Sequence, residues 1–273
     1  MPKTQVSKKK VEAVKQLRTR SIFYRFIVLM VLSVLFELSC TKQTGEPTSP
    51  AITTVNLKNI ADFPLEVKEP SGLCQAWNTN EFLVVSDHSN TVFRISNTGE
   101  TIEELVFTGQ DLEGVGYQET GKIIWVVDEK QNKLFKLNKK GEEELEYSLS
   151  YQAHPSNKGL EAVTVNTKNN HIFMLNEALP GLLLEFFDGD IIRSTNLDFA
   201  KDYSGLFYEV KNNELWIASD ESQSIYQCSI DGKLIKIYHH NLNKIEGLVV
   251  DIDKMEFWVC SDSEEKLYLL KAQ

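Results

Sequence analysis

At 273 residues the chain is long enough for one large domain or two modest ones, and 42% hydrophobic with 25% charged residues is the balance of an ordinary soluble globular protein. Its 39 acidic and 29 basic residues give a net charge of −10. Lys3, Lys8, Lys9, Lys10, Lys15, Arg18, Arg20 and Arg25 all precede the first apolar run, so the remainder is more acidic still and nucleic acid is not expected as a partner.

The first apolar run, Phe26–Phe36, is 11 residues long and follows the basic region. That suits the core of a signal peptide and is short of the roughly 20 residues of a transmembrane helix. It ends at Glu37-Leu38-Ser39-Cys40, which has the shape of a bacterial lipoprotein signal: cleavage before Cys40, whose thiol then carries lipid. Glu37 departs from the Leu usual at that position, and an uncleaved anchor starting near Ser21 is the alternative. Either way the expectation is a domain tethered outside the cytoplasm, in the bacterial cell envelope, on the outer membrane or a periplasmic face. Residues 1–39 read as the signal peptide. Residues 40–51 read as lipidated Cys40 with a polar, Pro-containing flexible tether, and 52–273 as the folded domain. Cys74, Cys228 and Cys260 are an odd, scattered set and read as buried thiols rather than a disulfide framework.

The folded region is repetitive. A carboxylate or Ser, a tiny residue and an apolar residue recur as Ser71-Gly72-Leu73, Glu113-Gly114-Val115, Glu161-Ala162-Val163, Ser204-Gly205-Leu206 and Glu246-Gly247-Leu248, with central residues 42, 48, 43 and 42 positions apart. Fifteen residues after each central residue stands a carboxylate: Asp87, Glu129, Glu177, Asp220 and Asp262. A β-rich run precedes each carboxylate, and an aromatic or Leu follows it by six residues: Phe93, Phe135, Leu183, Tyr226 and Tyr268. Asn, Gly and Asp fill the turns, as in Asp231-Gly232-Lys233. Each unit thus holds four short strands, the size of one propeller blade. The fifth unit runs out before its fourth strand, while a spare strand near Ile52–Leu57 precedes the first unit. The reading is an all-β, five-bladed β-propeller with four antiparallel strands per blade, its ring closed by the N-terminal strand in the last blade.

These motifs, with Glu69-Pro70 before the first, Asp111-Leu112 before the second, Gly159-Leu160 before the third and Asp202-Tyr203 before the fourth, resemble the SdiA-regulated, or YjiK-like, bacterial proteins, distant relatives of NHL-repeat propellers. The resemblance covers about residues 60–273. It implies a five-bladed propeller with a calcium site and no settled biochemical function.

Blade topology independently puts the start of each innermost strand and the end of the next strand on one rim. The inner ring there is Ser71, Glu113, Glu161, Ser204 and Glu246, with Glu69, Asp111 and Asp202 just outside. Converging carboxylates repel one another, and a hard cation with 6–8 loosely arranged oxygen ligands relieves that repulsion, so Glu113, Glu161 and Glu246 are the expected calcium ligands. Ser86, Asp87, Ser219, Asp220, Ser261 and Asp262 read instead as turn chemistry. His239 and His240 should point to opposite faces of a strand and form no metal pair. Trp125, Trp216 and Trp258, each four residues before a spaced carboxylate, read as packing between blades. The functional expectation is a monomeric binding or scaffold protein offering its rim loops to a protein, peptide or glycan. The alternative is a calcium-dependent hydrolase of the lactonase, esterase or phytase kind, with a carboxylate or His88 near the mouth as base, His88 being the best-placed histidine.

Overall fold

The computed structural model describes residues 51–151, 159–177 and 180–273. The expected signal peptide, Cys40 and nearly all of the tether lie outside the described residues, and Ile52–Gln273 forms one unit.

Alternating apolar positions and β-branched residues produce strands throughout, and no helix occurs among the described residues. The N-terminal strand β1 spans Thr53–Pro64. The first repeat supplies β2 (Pro70–Gln75), β3 (Glu81–Ser86), β4 (Thr91–Ser96) and β5 (Thr101–Thr108), and the second β6 (Leu112–Gln118), β7 (Ile123–Asp128), β8 (Lys133–Leu137) and β9 (Glu143–Ser148). The third gives β10 (Leu160–Val165), β11 (Ile172–Asn176), β12 (Gly181–Phe187) and β13 (Asp190–Leu197), and the fourth β14 (Gly205–Glu209), β15 (Glu214–Ser219), β16 (Ser224–Ser229) and β17 (Leu234–His239). The fifth ends the chain with β18 (Ile245–Asp251), β19 (Glu256–Ser261) and β20 (Lys266–Ala272).

The first three repeats are separate four-stranded antiparallel sheets in simple meander order. The last two are joined by β1 into an eight-stranded sheet of order β14-β15-β16-β17-β1-β20-β19-β18. Leu57–Pro64 of β1 pairs antiparallel with β20, as expected of a closing strand. The strand is longer than the sequence suggests, and its first half does something unforeseen: Thr53–Asn56 pairs parallel with Lys236–His239 of β17. One strand therefore covers the outer edges of two sheets at once, leaving neither ladder open to another chain.

Second strands such as β3 and β15 are buried along almost their whole length, because sheets press on both of their faces. Outer strands such as β13 alternate between more and less exposed positions. Core clusters join successive repeats all the way round. Trp216, Tyr238 and Phe257 bind the fourth repeat to the fifth, while Leu73, Phe82 and Val84 meet Val249, Cys260 and Leu267 between the first and the last. Trp216 lies 5.5 Å from Phe257, and Trp258 lies 5.4 Å from Phe82 in the neighbouring sheet, in keeping with the packing role read for these residues. The three cysteines are free and buried, and burial pushes their thiols upward.

The tiny residue in each repeat has a direct physical cause. A Cβ on Gly72 would stand 2.6 Å from the Glu113 carbonyl oxygen and 2.9 Å from the Cα of Gly114. One on Gly114 would stand 2.7 Å from the Cα of Ala162, and one on Gly247 would stand 2.5 Å from the Leu73 amide. Each innermost strand lies backbone to backbone on the next, around a closed cycle of first strands β2, β6, β10, β14 and β18. This is a propeller whose axis is made of main chain.

Candidate metal centre at the acidic mouth

The residue before each tiny one is displaced from its sheet. Along β2, β6, β10 and β18 the pairing with the following strand skips one residue, and the skipped residues are Ser71, Glu113, Glu161 and Glu246. These are β-bulges, which leave a residue unpaired and re-aim its side chain. The Glu-Gly step thus does two things: Gly permits the close approach of the neighbouring backbone, and the bulge releases Glu from the pleat toward the mouth. In the fourth repeat Ser204 instead donates its amide to the Ala218 carbonyl at 3.0 Å.

A cavity of about 230 Å3 lies at this mouth, and Glu113, Glu161, Glu246, Asp202 and Ser204 line it together. All five carboxylates of the 15-residue spacing, Asp87, Glu129, Glu177, Asp220 and Asp262, line it as well, with Glu221 and Lys244. Among the described residues, ten carboxylates line the mouth against one lysine. The spacing carboxylates reach it because the amides of Asp87, Glu129, Glu177 and Asp262 bond to the carbonyls of Glu69, Asp111, Gly159 and Lys244 at 2.9–3.1 Å, clamping the end of each second strand to the start of the first.

Of these, Asp87, Asp220 and Asp262 were expected to serve turns, and they line the cavity in addition. Turn chemistry belongs to the residue just before each: Ser86, Asp128, Asn176, Ser219 and Ser261 are fully buried. Ser86 Oγ donates to the Lys68 carbonyl at 2.5 Å, Ser261 Oγ to the Asn243 carbonyl at 2.8 Å, and Asp128 accepts from the amides of Gln110 and Gln131 at 2.7 and 2.8 Å. A clue lay in the sequence: one polar side chain suffices for each turn, so the carboxylate repeated beside it is surplus to that need. Asp220 serves both ends, since its Oδ1 also accepts the Lys244 amide at 2.5 Å.

Other expected site residues separate by role. Asp202 accepts from Ser219 Oγ and from the amides of Asp220 and Glu221 at 3.1 Å, so its carboxylate is tied to the frame. Ser204 donates to the Ile245 carbonyl at 2.8 Å and Ser71 to the Glu69 carbonyl at 3.2 Å. Ser71, Glu69 and Asp111 are not among the cavity-lining residues. Glu69 is half exposed and faces His88 at 3.8 Å, and His88, one of the bases the hydrolase alternative allowed, is 64% exposed and not among the cavity-lining residues. His239 is exposed and His240 buried, as strand alternation requires.

Electrostatics mark the mouth as over-supplied with negative charge. Burial, reinforced by Asp87, Glu246 and Glu129, pushes the Glu113 carboxyl up to about 9. Burial and the charges of Glu113 and Glu177 raise Glu161 well above the usual range. Glu246 rises to about 8 through burial, opposed by Lys244. Asp87 rises to about 6, first through burial and then through its hydrogen bond with Asp111. Glu113 and Glu246 retain protons near neutrality unless a cation replaces them, whereas Asp87 is mostly ionised there.

One subset has the geometry for that replacement. Asp87, Asp111 and Glu113, all partly buried, each offer a carboxylate oxygen, and the three oxygens lie within 4.8 Å of one another. An all-oxygen, multi-carboxylate donor set fits a hard divalent cation and has none of the His or Cys character that transition metals favour. It shares Glu113 and Asp111 with the sequence expectation and adds Asp87.

A family model of SdiA-regulated proteins matches residues 53–271. The chain belongs to the SdiA-regulated family. The match spans all five repeats of this family member and stops within the last strand, β20. No curated protein sequence matches the chain. Among solved structures it is similar to the Myxococcus xanthus glutaminyl cyclase, at 11% identity and a TM-score of 0.63, over 81% of this chain and 98% of that one. It also matches the Myceliophteria thermophila Cps50 (Swd1) β-propeller domain, at 9% identity and a TM-score of 0.47, over 74% of this chain and 65% of that one. At such identity the cyclase likeness speaks to fold alone.

Proposed function

We propose that this member of the SdiA-regulated family is an envelope-anchored, five-bladed propeller that acts as a binding or scaffold protein, with calcium held at its acidic mouth. The five repeats, their five inter-repeat core clusters and the single closing strand support the blade count. The observation that carries the metal reading is the convergence of Asp87, Asp111 and Glu113 within one cation's reach; Asp87 and Glu113 also line the cavity with Glu161 and Glu246, and Asp111 stands outside that lining. In this role Glu113, Asp87 and Asp111 would hold the ion, Glu161 and Glu246 would supply further negative charge, and the bound cation would tie the second repeat's innermost strand to the first repeat's rim. The ion's contribution is charge neutralisation in a narrow mouth, which stiffens the ring and fixes the rim loops.

Residues 1–40 supply the proposed export and anchoring, through cleavage before Cys40 and lipidation of its thiol. The domain then sits as a monomer on a membrane, outside the cytoplasm. For the hydrolase alternative, His88 is exposed and not among the cavity-lining residues, which leaves a mouth carboxylate as the base it would need.

Two measurements test the proposal. Calcium titrated into the purified chain should raise its melting temperature and give a saturable heat by calorimetry, both lost in a variant combining Asp87→Asn with Glu113→Gln. No heat and no thermal shift at millimolar calcium would refute the metal reading. Metabolic labelling with palmitate should mark the protein and fail for Cys40→Ser; equal labelling of the two would refute the anchor.

A further inference from the structure

At the far end of the innermost strands from the acidic mouth, a cleft of about 600 Å3 opens. That is within the range of roughly 300–1,000 Å3 common to small-molecule sites. Three repeats frame it. The first contributes Asn80 and Asn97 from its turns, the fourth contributes Phe207 and Glu209 from the end of β14, and the fifth contributes Trp258 and the β18–β19 hairpin.

The charges of this cleft are already satisfied. Lys211 pairs with Asp253, Lys254 with Asp251 at 2.7 Å and Glu256 with Lys271 at 3.0 Å. Glu209 is buried and accepts from the amides of Lys211 and Asn212 at 2.5 and 2.8 Å. An ionic ligand would find no spare counter-charge here, in contrast to the other mouth.

Neutral hydrogen-bonding groups, however, are spare. Among the described residues the side-chain amides of Asn80 and Asn97 and the indole N–H of Trp258 make no hydrogen bond to protein, and all three residues line the cleft. The Trp258 ring is partly exposed and held from behind by Phe82 at 5.4 Å and Phe63 at 6.1 Å, which makes it a fixed flat apolar surface. A braced indole beside uncharged amides suits a ligand with one apolar face and many hydroxyls. A pyranose ring stacks its C–H face on such an indole, and its hydroxyls both donate to and accept from amides.

We propose that this cleft binds a neutral oligosaccharide. The site is independent of the calcium reading, since it shares no lining residue with the acidic mouth.

The test uses the full chain in a detergent without a sugar headgroup, probed with chitotetraose, maltotetraose and cellotetraose by saturation-transfer NMR and tryptophan fluorescence. At least one should bind with a Kd of millimolar or tighter. A variant combining Asn80→Ala with Asn97→Ala, both on surface turns, should weaken it at least tenfold. Trp258→Phe, which keeps an aromatic ring against Phe82, should weaken it by a similar factor while circular dichroism stays unchanged. Chelator and Glu113→Gln should leave it intact. The proposal is overturned if none of the three sugars binds, if binding survives both variants, or if a random peptide library or polygalacturonate engages the cleft more tightly than any neutral sugar.

Discussion

Replacing Glu113 with Gln removes an ionisable group without changing its shape, and it should stabilise the metal-free protein while weakening the metal-loaded one. Glu113 has its carboxyl raised from an ordinary 4.5 to about 9. A group raised in the folded state contributes its full stability below the unfolded value and loses it as pH climbs toward the folded one. Each pH unit in that window costs about 1.4 kcal/mol, so by pH 7 the folded chain has forfeited about 3 kcal/mol through this one side chain. Water access at the mouth lowers the figure, and about 1–3 kcal/mol is the working range. Urea unfolding in chelator should therefore show Glu113→Gln equal to the parent near pH 4.5 and more stable by about 1–3 kcal/mol at pH 7. In calcium the order should reverse, because a ligand at 1,000 times its Kd stabilises the parent by about 4.1 kcal/mol and the variant has lost a ligand. A variant no more stable than the parent at pH 7 in chelator would refute the claim that the mouth is over-supplied with charge.

Other outcomes follow from the same structure. Because Asp87, Glu113 and Glu246 are raised to about 6, 9 and 8, calcium uptake at pH 7 should release protons, read as a calorimetric heat that varies with the buffer's ionisation enthalpy; a buffer-independent heat would contradict this. Gly247→Val should cost at least about 3 kcal/mol or abolish folding, since even its Cβ would stand 2.3 Å from that of Leu73 and 2.5 Å from the Leu73 amide, whereas Ala162→Gly should cost only about 1 kcal/mol. Equal unfolding midpoints for the two variants would contradict the main-chain packing of the axis. Deleting 52–64 should expose the edges of β17 and β20 and send the protein to oligomers on size-exclusion chromatography; a monomer with unchanged melting temperature would be the contrary result.

The repeat, the strands and the closing role of the N-terminal segment were legible because each rests on local chemistry. Gly72 or Gly247 marks a close backbone approach, and runs such as Phe257–Cys260 mark a strand buried on both faces. The candidate site was legible only by halves. Glu113, Glu161 and Glu246 could be placed at the mouth from topology, but the bulges that turn them there arise from pairing between strands, which no single segment reveals. Asp87's place beside Asp111 and Glu113 was not legible for a related reason. Its neighbour Ser86 takes the turn's hydrogen bonds, and which member of Ser-Asp faces inward depends on how the strand end is clamped to Glu69. The parallel pairing of β1 with β17 was equally hidden, since it joins residues about 180 positions apart with no shared motif.

That doubled pairing of β1 bears on how the molecule comes to exist. Among the described residues, the strand made first is also the last one placed: Leu57 finds its partner at Ala272, almost the full length of the domain later. Until β20 has been synthesised, β1 has only a parallel partner four residues long, and the ring stands open with unpaired edges. Such a topology folds slowly and only as a finished chain. A copy truncated before β20 is therefore left unclosed, with its ladder edges open to proteolysis and to other chains.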